Sequence, residues 1–142
     1  MPESSQKNNR SELLKYAVNI LSRKPYFYAQ LKNKLQERAQ KLELTDFEDD
    51  LDAILAELKT SGYLNDLYLA EAYVRRCLGR LQGPKIIRYK LQQLGLTTPQ
   101  ISEALGTEES QKALSEAKSK LANKLSGAEE FKLAHKLYQR GF

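Results

Sequence analysis

Gly83-Pro84-Lys85-Ile86-Ile87-Arg88-Tyr89-Lys90-Leu91-Gln92-Gln93-Leu94-Gly95 reads as one complete helix between two stops. Gly83-Pro84 breaks the chain, and the fixed φ and missing N–H of Pro84 suit the first turn of the helix that follows. Ile87, Leu91 and Leu94 recur at spacings of four and three, the apolar stripe of an amphipathic helix. Gly95 ends it. The closing unit Lys90-Leu91-x-x-x-Gly95 has counterparts at Lys136-Leu137 with Gly141 and at Lys34-Leu35, where Ala39 stands in place of the glycine. Each copy lies in a helix-sized apolar pattern, so the chain is expected to be a stack of helical modules.

The same signals extend in both directions. Ser11 caps a helix carrying Leu13, Leu14, Ala17, Ile20 and Leu21, which stops near Arg23 because Pro25 disfavours helical Lys24. A second helix has Tyr28, Leu31 and Leu35 one turn apart. Thr45 and Glu48 form a capping-box pattern opening a third, with Leu51, Ile54, Leu55 and Leu58 inward and Gly62 as its left-handed stop. Tyr63 and Leu64 should pack back onto this module. Asp66 is the expected N-cap of a helix burying Leu69, Ala70, Tyr73, Val74 and Cys77. Thr98-Pro99 opens a short helix with Ile101 and Leu105, closed by Gly106. From Thr107 onward, Leu114, Ala117, Leu121 and Leu125 face inward. Ser126 and Glu129 repeat the capping box before a last helix with Leu133, Leu137 and Tyr138. No stretch alternates as a strand does. The expected fold is all-α: three tandem three-helix modules, the last incomplete, in an elongated, curved array. Its parts are a flexible tail at 1–10, module 1 at 11–64, module 2 at 65–106 and a truncated module 3 at 107–142.

Charged residues make up 29% and hydrophobic ones 41%, enough apolar material for a core. The single Cys77 excludes an internal disulfide framework and suits a reducing compartment. No apolar run reaches membrane-spanning length and no secretory signal opens the chain, which points to a cytoplasmic protein without membrane partners. A monomer is expected.

The net charge of +5 is unevenly spread. Glu43, Asp46, Glu48, Asp49, Asp50, Asp52 and Glu57 occur with no Lys or Arg between them, a solvated face whose early carboxylates favour a helix N-terminus. Asp49, Asp50 and Asp52 diverge around a helix and no histidine or loop glycine completes a site, so no metal is expected. Arg75, Arg76, Arg80, Lys85, Arg88 and Lys90 are the reverse, with Glu71 the one acid near them. Arg76 with Arg80, and Lys85 with Arg88, share helix faces, so two neighbouring helices can merge their cations into one stripe that attracts a polyanion. Gly83 would let a backbone approach, and the N–H groups after Pro84 form an anion seat.

Catalytic residues are scarce. His135 is the only histidine, and Cys77 falls on an apolar stripe. No phosphate-binding glycine loop, nucleophile elbow or zinc spacing occurs. No catalytic residue and no cofactor is expected. Most tyrosines fall at core-facing or hinge positions, with Tyr68 and Tyr89 the candidates for exposure.

Gly62-Tyr63-Leu64-Asn65-Asp66, then Ala70, Val74, Gly83-Pro84-Lys85-Ile86-Ile87, Leu91 and Gly95, resembles the RecX family, bacterial regulators of the RecA recombinase. Leu21-Ser22-Arg23-Lys24 with Tyr26, Leu31 and Leu35 looks like that family's first module, and Lys136-Leu137 with Arg140-Gly141-Phe142 like its third. The resemblance implies a curved three-module protein, not an enzyme, that binds the RecA filament. It would inhibit strand exchange, ATP hydrolysis and co-protease action in DNA repair and the SOS response, with DNA contacted weakly in some members. Asn65 stands where the family usually has aspartate and Leu69 where phenylalanine is common. Cys77 and Gly79 stand where relatives often carry arginine, which thins the cationic stripe. The competing expectation is a stand-alone DNA-binding protein of helix-turn-helix type, with Gln92 or Gln93 reading bases.

Overall fold

The computed structural model describes residues 2–124 and 130–142. Among them every regular element is an α-helix: α1 (Pro2–Arg23), α2 (Tyr28–Lys41), α3 (Glu48–Thr60), α4 (Asp66–Gly79), α5 (Pro84–Gln93), α6 (Thr98–Gly106), α7 (Glu108–Lys124) and α8 (Glu130–Gln139). Leu125 and the Ser126/Glu129 capping box lie outside the described residues. None of the described helices is long and apolar enough to cross a membrane. The chain divides into two compact units, Met1–Asp66 and Leu67–Phe142.

The first unit is a three-helix module. Leu13 and Ala17 of α1, Leu31, Leu35 and Ala39 of α2, and Leu51, Ile54, Leu55 and Leu58 of α3 close over one another with Leu64. Each buried leucine contributes about 1.5–3 kcal/mol of transfer free energy. A helix starting at Pro2 replaces the expected tail, and Ser11 lies inside that helix rather than at its cap. The apolar stripe Leu13–Ala17 continues one turn upstream as Asn9, a polar residue buried because its amide Nδ2 donates to the Thr45 carbonyl at 3.3 Å. Beside it, Arg10 reaches Asp50 Oδ1 with Nε and Nη2, each at 3.2 Å. An apolar count misses this turn because its anchors are polar.

The Thr45–Glu48 capping box does not form: α3 starts after Phe47 and has no side-chain cap. The connection passes through Glu43 (φ 55°) and Asp46 (φ 53°), which shifts Thr45 away from the helix end. Glu48, Asp49 and Asp50 fill the first turn of α3 instead, where carboxylates complement the helix dipole. The Asp66 carboxylate accepts from the Tyr28 N–H at 2.8 Å, so the helix whose first turn it satisfies is α2. Leu64 is buried as expected, whereas Tyr63 is 57% exposed.

Five helices end in one way. A left-handed residue donates its N–H three residues back, and the next residue donates five back. The left-handed positions are Glu43, Gly62, Leu81, Gly95 and Gly141. The longer bonds run from Leu44 to Ala39, Tyr63 to Leu58, Gln82 to Cys77, Leu96 to Leu91 and Phe142 to Leu137, all at 2.9–3.1 Å. This geometry explains Leu-x-x-x-Gly: leucine gives the carbonyl and the inward contact, glycine the positive φ. Lys34-Leu35 is not such a stop. With alanine at position 39, α2 runs another turn and Ala39 supplies the carbonyl, with Glu43 left-handed.

In the second unit, Ala70, Val74, Cys77 and Leu78 of α4, Ile87 and Leu91 of α5, Ile101, Ala104 and Leu105 of α6, and Ala117 and Leu121 of α7 are buried, with Leu96. Helix α6 packs on both α5 and α7, and α7 on α8. Thr97 and Gln100 form a true capping box at α6, each side chain bonding the other's N–H. Only Thr107 separates α6 from α7. Its Oγ1 accepts from Ser110 N–H at 3.2 Å, and the buried Ser110 hydroxyl donates to Ala104 O at 2.6 Å. The expected boundary at 106/107 therefore falls within this unit. Leu133 and Leu137 are half-buried, and Tyr138, expected inward, is 65% exposed.

The stops predict opposite signs at equivalent positions. Glu43 is exposed, so Glu43→Gly should stabilise by about 1 kcal/mol through relief of left-handed strain. Gly62, at φ +86° with open space around its Cβ direction, should lose about 1 kcal/mol as Gly62→Ala. Urea unfolding measures both.

Candidate docking surface

Charge separates along the sequence. Met1–Asp66 carries ten Lys and Arg against eleven Asp and Glu, net −1, whereas Leu67–Phe142 carries thirteen against seven, net +6. The six cations singled out from the sequence all belong to the second unit, on α4, α5 and the turn between them. Val74, Cys77 and Leu78 fix the buried side of α4, which puts Arg75 on one flank and Arg76 with Arg80 on the other.

Arg75 Nη1 meets Glu109 Oε2 of α7 at 3.0 Å, an exposed pair worth about 0–1 kcal/mol. The Arg76 guanidinium lies 5.7 Å from the Tyr73 ring centroid. Burial raises the Tyr73 pKa, the neighbouring Cys77 adds to the rise, and Arg76 and Arg80 oppose it. Those two arginines and Tyr73 thus share one electrostatic neighbourhood. On α5, Ile87 and Leu91 are buried, and Lys85, Arg88, Tyr89 and Gln92 form the exposed stripe at helical spacing. Lys85 Nζ sits 4.4 Å from the Tyr138 ring centroid of α8. Arg88 Nη1 donates to Ser102 Oγ of α6 at 3.3 Å. Lys90 faces elsewhere, with Nζ donating to Gln82 Oε1 at 2.8 Å. The six cations are therefore divided among several partners rather than merged in one stripe.

The anion seat after Pro84 is filled from within. Gly83 N–H donates to Arg140 O at 2.6 Å and Lys85 N–H to Gly141 O at 3.0 Å. Gly83 does admit a close backbone, and it is the chain's own: a Cβ there would lie 2.4 Å from the Gly141 carbonyl carbon and 2.6 Å from Phe142 N. A Cβ on Gly141 would meet Ile86 Cγ1 at 2.9 Å. Two glycines, one before α5 and one after α8, thus form a reciprocal clasp. Sequence reading missed it because nothing local says that two distant glycines meet.

Cys77 is buried in the core, and His135 is exposed on α8. Among the described residues no group of His, Cys, Asp and Glu is arranged to hold a metal ion.

Comparison with known proteins places this arrangement. Residues 65–105, spanning α4 to α6, match the second three-helix domain of RecX. The structure superposes on crystalline RecX from Lactobacillus salivarius with a TM-score of 0.72 at 26% identity, over 96% of this chain and 90% of that one. In sequence and in fold the chain is similar to the RecX family. The regulatory protein RecX of Photobacterium profundum is 35% identical over 107 residues, 75% of this chain and 37% of that protein. The Pectobacterium atrosepticum protein of the same name is 28% identical over 144 residues, 91% and 89% of the two chains. This chain thus spans well under two thirds of the Photobacterium relative. The RecX domain match ends before α7, so Glu109 and Tyr138, which engage Arg75 and Lys85, come from beyond it.

The clasp predicts that Gly83→Ala costs about 3 kcal/mol, because the backbone it would strike has no rotamer to move. Amide exchange at Lys85 should accelerate with the loss of its acceptor. Gly79→Ala, with nothing within 4 Å of the added Cβ, should stabilise α4 by about 0.5–1 kcal/mol. Urea melts and exchange measurements check the pair.

Proposed function

We propose that this chain is a regulator of the RecX type that docks, as a monomer in the cytoplasm, on the RecA filament. It restrains strand exchange, ATP hydrolysis and co-protease action in DNA repair and the SOS response. The observation carrying the reading is the match of residues 65–105 to the RecX second domain, the part of the positively charged second unit that holds the exposed arginines of α4 and α5. Tyr73 and Arg76 on α4 with Arg80 in the turn that follows, and Lys85 and Arg88 on α5, form the docking surface. Arg75 and Lys90 contribute less, being turned onto Glu109 and Gln82. The mechanism is steric and electrostatic and needs no catalytic residue: contacts available in one filament state draw the filament toward it. Weak DNA contact by the same cations accompanies docking.

The helix-turn-helix alternative has Gln92 and Gln93 exposed on α5 in its favour. Against it, a recognition helix leads with its N-terminal end, and that end of α5 is covered by the carbonyls of Arg140 and Gly141.

Reversing two exposed cations alters several contacts of about 0.5–1 kcal/mol each. Arg76→Glu with Arg80→Glu should therefore raise the concentration for half-inhibition of DNA-dependent RecA ATPase about tenfold or more, with unchanged circular dichroism. Undiminished inhibition would place the surface elsewhere. Without RecA, steep sequence-selective binding to DNA would favour the alternative, and weak indifferent binding the regulator.

A further inference from the structure

One feature of the second unit has no part in the docking surface. Leu121 and Lys124 of α7, with Lys136, Gln139 and Arg140 at the end of α8, line a cavity of about 280 Å³. Leu121 is 3% exposed and forms its apolar floor. The other four side chains are exposed at its rim, and among the described residues no carboxylate lines it. Among the described residues, none of the three cations has an ion-pair partner.

Cations at a helix C-terminus are ordinary, since they complement the partial negative charge of about half a unit there. Three full charges around one opening exceed even the combined demand of the two helix ends, α7 at Lys124 and α8, and the Lys136, Leu137 and Tyr138 carbonyls of α8 are already occupied by the N–H groups of Arg140, Gly141 and Phe142. The excess is left to a ligand. Arginine offers a planar fork and lysine a mobile point charge, the two modes of phosphate recognition. Gln139 adds an amide donor. Size narrows the choice: enclosed small-molecule sites hold about 300–1,000 Å³. This cavity lies at the lower limit, enough for a compact anion but not for a whole nucleotide.

We propose that this α7–α8 cavity binds an oligophosphate group, either inorganic pyrophosphate or the phosphate tail of a nucleotide. The group's charge of about three near neutral pH matches Lys124, Lys136 and Arg140. Arg140 ties the site to the rest of the unit: its side chain lines the cavity while its carbonyl accepts the Gly83 N–H at 2.6 Å. Occupancy orders Arg140 and thereby steadies the clasp at the start of α5.

Isothermal titration of the full chain with pyrophosphate, tripolyphosphate and ATP at physiological salt tests this. Saturable one-to-one binding is expected. Lys136→Glu and Arg140→Gln should each weaken it about tenfold or more, with unchanged circular dichroism. Lys112→Glu, an exposed α7 position on the opposite helix face from Leu121, should leave it unchanged. Similar affinities for pyrophosphate and ATP support the phosphate group as the recognised element, and protection of the Gly83 amide from exchange on binding supports the link to the clasp. Absence of pyrophosphate binding at millimolar concentration overturns the proposal. So does equal weakening by Lys112→Glu, which would mean net charge alone, or binding of ATP or a DNA oligonucleotide without pyrophosphate.

Discussion

The hydrogen bond that runs five residues back across a left-handed position is the constraint on which this chain's architecture rests. An α-helix leaves its last four carbonyls without partners, and a short connection to the next helix gives them little access to water. Five stops, at Glu43, Gly62, Leu81, Gly95 and Gly141, solve that problem alike. At the Gly62 and Gly95 stops the residue whose carbonyl accepts the bond, Leu58 or Leu91, also has its side chain in the core. Termination and packing therefore depend on one residue, and a helix cannot be lengthened without moving a leucine out of the core.

The second unit adds a constraint of longer range. The clasp of Gly83 with Gly141 converts the stop of α8 into the start of α5: the carbonyls of Arg140 and Gly141 satisfy the N–H groups of Gly83 and Lys85. Lys85, positioned there, lies against Tyr138. The exposed cationic stripe of α5 thus owes its orientation to residues more than fifty positions further along the chain. A helix N-terminus that would be an anion site in isolation is instead a structural joint, and anions are left to exposed side chains.

Much of the fold was legible in the sequence because its signals are local. The 3.6-residue stripes of Leu13–Ala17, Leu31–Leu35 and Ile54–Leu58 mark the buried faces, and Pro25, Pro84 and Pro99 mark breaks. The errors arose where a polar side chain did the work of an apolar one or found a partner far away. Asn9 extends the buried stripe of α1 through a bond to Thr45, which a reading of polar composition turns into a tail. Asp66, a good N-cap by type, bonds to Tyr28 of α2 instead. For the candidate surface, the sequence showed which cations were near one another along α4 and α5. Their separation by partners was invisible, because Glu109, Ser102, Gln82 and Tyr138 lie on other elements.

Leu81 is the informative exception among the stops. At φ 60° it carries strain of about 1–2 kcal/mol that glycine would avoid. Its side chain is half-buried, and burying part of a leucine recovers about 1 kcal/mol, so the two effects nearly cancel. Neutral in stability, the choice still restricts the backbone of the turn between α4 and α5. That turn must present Gln82 to Lys90 and bring Gly83 within backbone contact of Gly141. A glycine at 81 followed by Gln82 and Gly83 would leave two flexible positions in three residues, and the unfolded chain would gain the entropy that the clasp must then overcome. A half-buried leucine at this left-handed position restricts the turn where the geometry of the cationic surface is set.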